Sequence, residues 1–333
     1  GEMVKAGFPV PPGFIISTSA YFQFLEENDF KKQLKNILLV TNINNPQELE
    51  DASKKIRNIL EKGKIAEEHA REIRIRYRKL GSMFTHALVA IRSSASAEDL
   101  VDASFAGQQE SFLNIRGDAS LLFSVRKCWS SLFTPRAIFY REQKKYDHFK
   151  VGIAVVVQEM VQSEISGVAF TQDPQGKDKH KMVIEAVRGL GEALVLGKVT
   201  PDHFELERHS LNIINKIIPP QEKQKLEDSQ IKRLGKLLQK IQNYYFFPQD
   251  VEWVYKKGKF FIIQSRPITT LDIENKNESI NQNEEKTLEI ILRGQSASPG
   301  IATGHVCIIH SSKELKKVKK GDILVTAMTS PDF

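Results

Sequence analysis

Hydrophobic and polar positions change their rhythm along the chain. Over residues 20–39, 46–62 and 65–80 apolar side chains recur at helical spacing; Asn45 is placed to cap the second stretch and Pro46 to open it. The segment before them, Ala6-Gly-Phe-Pro-Val-Pro-Pro-Gly-Phe14, holds too much Pro and Gly for a helix and predicts an extended entry into Ile15-Ile16. From Leu88 the period shortens. Residues 88–91 and 105–115 read as strands around a polar segment, and a helical pair follows, its second member opened by Thr134-Pro135. Four short strand patterns come next, at 151–160, 167–171, 182–187 and 203–207. A helix over about 222–244 then precedes a hairpin of 251–255 and 259–264. Long helices first and a strand-rich region later predict an α+β fold rather than a regular βαβ array.

Residues 272–286, rich in Asn, Glu and Lys, read as a linker. After it, strand patterns at 305–309 and 321–327 predict the start of a small β-rich domain that Phe333 cuts short. The expected division is 1–270 for a first domain, 271–288 for the linker and 289–333 for an incomplete second domain. With Gly1 in place of an initiating Met, the chain is expected to be a fragment.

Composition narrows the class. A hydrophobic share of 41% with 27% charged residues is that of a soluble globular protein. No run approaches the ~20 apolar residues of a membrane span, and the N-terminus lacks a signal-peptide pattern, so a cytoplasmic protein without a membrane partner is expected. Cys128 and Cys307 lie far apart without ligand-spaced neighbours, which argues against a disulfide framework or a zinc site and for two buried apolar thiols. The eight histidines show no clustered metal pattern and read as structural or surface residues. The net charge of +7 suits a protein that handles polyphosphates. Its densest run, residues 71–79, interleaves Ile73, Ile75 and Tyr77 with the charges and reads as a solvated helix with a narrow apolar contact, not a nucleic-acid patch.

Three segments could carry chemistry. In Val89-Ala-Ile-Arg-Ser-Ser-Ala-Ser-Ala-Glu-Asp99 a strand delivers Arg92 before small residues and hydroxyls; a guanidinium there suits a phosphate oxyanion, or else pairs with Glu98 or Asp99. In Asp102-Ala-Ser-Phe-Ala-Gly-Gln-Gln-Glu-Ser111 small residues and Gly107 would let backbone approach a ligand, as they would in any tight turn. The hairpin is sharper. If it turns through Lys256-Lys257-Gly258, alternation puts Glu252, Gln264 and Arg266 on one face and Trp253 and Tyr255 on the other, whereas a two-residue turn would separate Glu252 from Gln264. A carboxylate, an amide oxygen and a guanidinium together could hold magnesium and the phosphates it bridges, or form a solvated polar stripe. The strand Val155-Val-Val-Gln-Glu-Met-Val161 could present backbone amides and Met160 to an adenine, or simply leave the core. Glu185 is a further carboxylate beside the glycine-rich Gly189-Leu-Gly-Glu-Ala-Leu-Val-Leu-Gly197.

In order, Gly1-Glu-Met, the Pro-rich segment to Phe14, Arg92-Ser-Ser-Ala-Ser-Ala-Glu-Asp-Leu100, Asp102-Ala-Ser-Phe-Ala-Gly-Gln-Gln-Glu110, Gly189-Leu-Gly-Glu192 with Pro201-Asp202, and Gln264-Ser-Arg-Pro-Ile-Thr269 resemble the ATP-grasp domain of the phosphoenolpyruvate synthase (pyruvate, water dikinase) type and its dikinase relatives. The resemblance spans nearly the whole chain. It implies ATP and Mg2+ as cofactors: Arg92 on the phosphates, Gly107 and Ser111 lining the nucleotide, Gln158 near the adenine, Glu185 in the nucleotide site, Glu252 and Gln264 on metal and phosphate, and Arg266 on the transferring group, with Arg92 and Arg266 catalytic. It also implies transfer of phosphate from ATP to a histidine of a swivelling domain, then to pyruvate held by a barrel absent from this chain; a homodimer of the longer protein is compatible. The family's catalytic lysine and phosphocarrier histidine fall outside the sequence, so the chain alone is expected to complete no turnover. The short linker before Ser296-Ala-Ser-Pro-Gly-Ile-Ala-Thr-Gly304 favours the synthase over rifampicin phosphotransferase, and the segment after Arg92 favours it over pyruvate phosphate dikinase. A non-catalytic nucleotide- or RNA-binding module is the reading from another class.

Overall fold

A computed structural model of the chain describes residues 1–81, 85–95, 99–100, 103–104, 111–174, 178–195, 199–220, 222–268 and 301–326. Its chain contacts divide into two units, residues 11–161 and residues 1–10 with 162–333. A single-turn helix, α1 (Glu2–Lys5), opens the chain and belongs to the second of these.

The unit of residues 11–161 is built on a four-stranded sheet. In chain order it holds β1 (Gly13–Ile16), α2 (Thr18–Glu27), α3 (Phe30–Leu39), α4 (Pro46–Lys62), α5 (Glu67–Arg78), β2 (Val89–Ala95), a short ladder of β3 (Asp99–Leu100) and β4 (Ala103–Ser104), β5 (Ser111–Ile115), α6 (Asp118–Ser130), α7 (Pro135–Gln143) and β6 (Ile153–Glu159). The sheet order is β1-β6-β2-β5, all antiparallel. Val89 and Ile91 of β2 and Val155 and Val157 of β6 turn into one core with Phe24, Ile56, Leu60, Tyr77, Val125 and Trp129 of the helices. Their strand neighbours therefore face the other way.

Helix α4 begins where Asn45 and Pro46 place it: the Asn45 side chain accepts from the backbone N–H groups of Gln47 and Glu48 at 3.0 and 3.4 Å. The expected helix over 20–39 is two helices. Asp29 takes a left-handed conformation (φ 55°), and Asn28 donates both to Phe24 O in its own helix and to Lys64 O far along the chain, each at 2.9 Å. In α5 only Ile73 and Tyr77 of the expected apolar stripe are buried, Ile75 being exposed, while Arg74, Arg76 and Arg78 pair with Glu67, Glu72 and Asp118.

The second unit holds a six-stranded antiparallel sheet made of β7 (Ile165–Phe170), β8 (Lys181–Arg188), then after the one-turn α8 (Glu192–Val195), β9 (Asp202–Glu207) and β10 (Ile213–Ile217), and after α9 (Asp228–Tyr245), β11 (Gln249–Lys256) and β12 (Lys259–Pro267). The strand order is β10-β9-β8-β7-β11-β12. Ile231, Leu234, Leu238 and Ile241 of α9 pack on Met182, Ile184, Phe204, Leu206, Val251, Trp253 and Ile262 of the sheet. The capping box of Glu227 and Gln230 sets the start of α9, later than the expected 222. Strand β10, absent from the sequence-based expectation, adds an exposed edge. Beyond it β13 (Val306–Ile308) and β14 (Ile323–Val325) pair in parallel, joined through a 3-10 turn at Ser312–Lys317. The expected linker lies outside the described residues.

Candidate functional site

Three of the expected site residues share one face of the four-stranded sheet. Arg92 stands opposite Ser111 on one side and Val156 on the other, and Ala90 stands opposite Gln158. Directly opposed residues of an antiparallel pair point the same way, so a guanidinium, a hydroxyl and an amide are collected from β2, β5 and β6, turned away from the helical core. Ser111 is exposed, Arg92 half-buried and Gln158 buried. One residue past β6, the Met160 sulfur accepts from the Asn114 N–H at 3.0 Å. Gly107 lies outside the described residues.

The hairpin of the second unit departs from the expected turn yet delivers the expected neighbours. Lys256 pairs with Lys259, so the turn has two residues, Lys257 and Gly258, not three. Both have positive φ (46° and 78°), as a type I′ turn requires, and only glycine does so without strain. A plain ladder from that turn would place Glu252 against Ile263. Instead the register slips between Trp253, opposite Ile262, and Glu252, opposite Gln264. Ile263 is the extra residue of a β-bulge. Phe260 and Ile262 thus face the core while Gln264 and Arg266, of the same parity, face away from it beside Glu252.

The pairing continues across the sheet. Glu252 stands opposite Val168, Val168 opposite Glu185, and Glu185 opposite His203, so one lateral row reads His203, Glu185, Val168, Glu252, Gln264. The next row brings Glu205, Val183, Phe170, Asp250 and Arg266 together. Arg266 donates through Nε to Asp250 Oδ2 at 2.8 Å, and a second guanidinium nitrogen lies 2.8 Å from the same oxygen. Burial raises the Asp250 pKa; Arg266 opposes that rise and Glu252 adds to it. Asp250 therefore sets the direction of the arginine expected to contact substrate, a partner that sequence reasoning missed although it sits two residues from Glu252 in the same alternation.

Glu185 is 30% exposed, with His203 Nδ1 at 3.6 Å. The Gly189 carbonyl beside it accepts from Ser163 Oγ at 2.8 Å and Ser166 Oγ at 2.7 Å, which ties the start of the glycine-rich loop to β7. Asp202 of the Pro-Asp pair points into the core, fully buried, where Lys225 Nζ lies at 2.8 Å from Oδ1 and the Lys225 N–H donates to Oδ2 at 2.6 Å. Its part is structural. Cys128 is buried and Cys307 only half-buried, and neither is in a disulfide.

Among the described residues no group of three His, Cys, Asp or Glu forms a metal centre of its own. Glu252 and Gln264 supply two oxygens from adjacent strands. That set is too small to cage an ion but fits magnesium, which takes oxygen ligands and leaves much of its shell to water and substrate phosphates.

Comparison with known proteins gives this arrangement its context. The chain is 46% identical over its whole length to the probable phosphoenolpyruvate synthase of Methanocaldococcus jannaschii, 45% to that of Archaeoglobus fulgidus and 39% to the phosphoenolpyruvate synthase of Pyrococcus furiosus. It spans 30%, 47% and 48% of those relatives' own lengths. Residues 1–287 match the family described as the pyruvate phosphate dikinase AMP/ATP-binding domain, and the chain belongs to that family.

Proposed function

We propose that this chain is the ATP-binding part of a phosphoenolpyruvate synthase, which converts ATP, pyruvate and water to AMP, phosphoenolpyruvate and phosphate through a phosphohistidine. The observation that carries the reading is the bulged hairpin, which sets the Glu252 carboxylate against the Gln264 amide with Arg266 in the adjoining row. The names of the relatives supply the acceptor.

In this reading Arg92 receives phosphate oxygens, Gly107 and Ser111 line the nucleotide, Gln158 lies by the adenine, Glu185 belongs to the nucleotide site, and Glu252 and Gln264 hold Mg2+, which when bound supplies charge neutralisation between the phosphates. Arg266, oriented by Asp250, donates to the phosphoryl group in flight. Phosphoryl transfer asks little covalent chemistry of a protein; positioning and charge supply most of the rate. The division into a nucleotide domain over 1–270, a linker and the start of a swivelling domain from 289 belongs to the same proposal, as does a pyruvate-binding barrel elsewhere in the longer protein.

The test is release of AMP and phosphate from ATP by the full-length protein, with and without pyruvate. Pyruvate-dependent AMP formation that falls about 10²–10³-fold in Glu252→Ala and in Arg266→Ala supports both the reaction and the roles. AMP release indifferent to pyruvate but driven by another acceptor would keep the nucleotide site and replace the substrate. No AMP under any condition would overturn the enzyme.

A further inference from the structure

At the far end of the hairpin's row, the same face of the six-stranded sheet carries a second set of charges. His203 of β9 lies with Nδ1 3.6 Å from Glu185 Oε1 and Nε2 3.5 Å from Glu205 Oε1, and Lys181 Nζ lies 3.2 Å from Glu205 Oε2. The side chain of His203 is only 16% exposed. An imidazole flanked by carboxylates on both nitrogens satisfies both only as the imidazolium, which carries two N–H donors. The contact with Glu185 is the main influence raising the His203 pKa; burial opposes it, and Glu205 adds to the rise. Burial works against the Glu205 carboxylate too, but Lys181 and His203 outweigh it and leave its pKa below the ordinary range. The charged groups facing His203 are thus Lys181 and Glu185 from β8 and Glu205 from its own strand, while β10 sets the apolar Ile217 opposite it.

Glu185 sits in the row of Glu252 and Gln264, two strands from the first and three from the second, hence at roughly 10 and 15 Å between backbones. A carboxylate at that remove from a triphosphate site repels phosphate, yet it is matched to groups that can donate. On a nucleotide held by its phosphates at Glu252 and Gln264, donors within that reach are the ribose hydroxyls.

We propose that His203 is a positioning residue: braced by Glu205 and Lys181, its imidazolium holds the Glu185 carboxylate in place to accept hydrogen bonds from the ribose hydroxyls of the bound nucleotide. The inference rests on the nucleotide reading of this sheet face. When His203 loses its proton, both carboxylates lose a positive neighbour. Glu205 keeps Lys181, so the loss falls hardest on Glu185. Discrimination for the ribose therefore weakens as pH rises.

The experiment is calorimetric titration of the full-length protein with ATP and with 2′-deoxy-ATP from pH 6 to pH 8.5. Triphosphate protonation is common to both ligands and cancels in the ratio of affinities. Wild type is expected to prefer ATP by about tenfold at pH 6, the worth of one hydrogen bond to a charged group, and by only about two- to threefold at pH 8.5. His203→Gln is expected to hold one low preference at all pH values, and Glu185→Gln to lose most of it. A wild-type preference that does not change with pH, or a His203→Gln profile that superposes on wild type, would overturn the proposal; the first arm needs no variant to fold. Glu252→Ala separates the two ideas: it should weaken both nucleotides together, and if neither nucleotide binds wild type, the nucleotide reading itself fails.

Discussion

The two large sheets each give one face to a hydrophobic core and leave the other polar, but they equip the polar face differently. In the four-stranded sheet, helices α2 to α7 line the core side, and plain alternation on three strands brings out a guanidinium, a hydroxyl and an amide in Arg92, Ser111 and Gln158. In the six-stranded sheet one long helix covers the core side, and the open side interleaves the carboxylates Glu185, Glu205, Asp250 and Glu252 with the cations Lys181, His203 and Arg266. The first face can receive phosphate oxygens directly, because donors and positive charge already point from it. The second can do so only through cations, its own or a bound metal ion, since bare carboxylates repel the ligand. One face selects for charge by itself; the other must first be neutralised.

The largest effect should come from the hairpin. One Ala inserted between Glu252 and Trp253 would lie opposite Ile263, make the ladder regular and turn Glu252 and Gln264 toward the core. ATP binding is expected to disappear with it. Deleting Ile263 also makes the ladder regular but leaves both residues on the open face, so binding should survive; equal losses in the two variants would show that the bulge does not govern the site. Next, Trp129→Ala and Trp253→Ala each empty a fully buried site in a different core and should cost about 3–5 kcal/mol. Hydrogen exchange should quicken mainly within residues 11–161 for the first and 162–268 for the second; uniform quickening in both would merge the two units. A smaller loss is expected from Gly167→Ala. A Cβ there would meet the Glu185 carbonyl and come within 2.6 Å of the Trp253 ring, so overpacking of about 1–3 kcal/mol should appear in denaturant unfolding.

The smallest effect is titratable. Because the folded state raises the His203 pKa, its ion pairs add stability that is fully present below the unfolded value of about 6.5 and is lost as pH climbs through the folded value. His203→Gln should therefore be less stable than wild type at pH 6, by less than about 1 kcal/mol, and should match it near pH 9. A difference independent of pH would mean that packing, not charge, holds this histidine.

Local chemistry made part of this legible in advance. The start of α4 follows from Asn45 and Pro46, and the strand-rich second half from period-two patterns. The break between α2 and α3 does not, because it depends on Asn28 reaching Lys64 across the fold, without a glycine or proline to announce it. The hairpin shows the same limit from the other side. Expecting a three-residue turn put the right residues on one face, but the fold achieves this with a two-residue turn and one extra residue in β12. Glu252, Gln264 and Arg266 could be picked out from type and spacing. Asp250, the partner of Arg266, and His203, the partner of Glu185, emerge only once strands are paired, since lateral neighbours lie on different segments of the chain.

The bulge at Ile263 has a consequence for descent as well as for geometry. A hairpin that already carries one residue more on β12 than on β11 can shed it and keep Glu252 beside Gln264, but it cannot gain one on β11 without turning the pair inward. Among chains that keep this chemistry, length change here should run in one direction only: shorter second strands, never longer first ones.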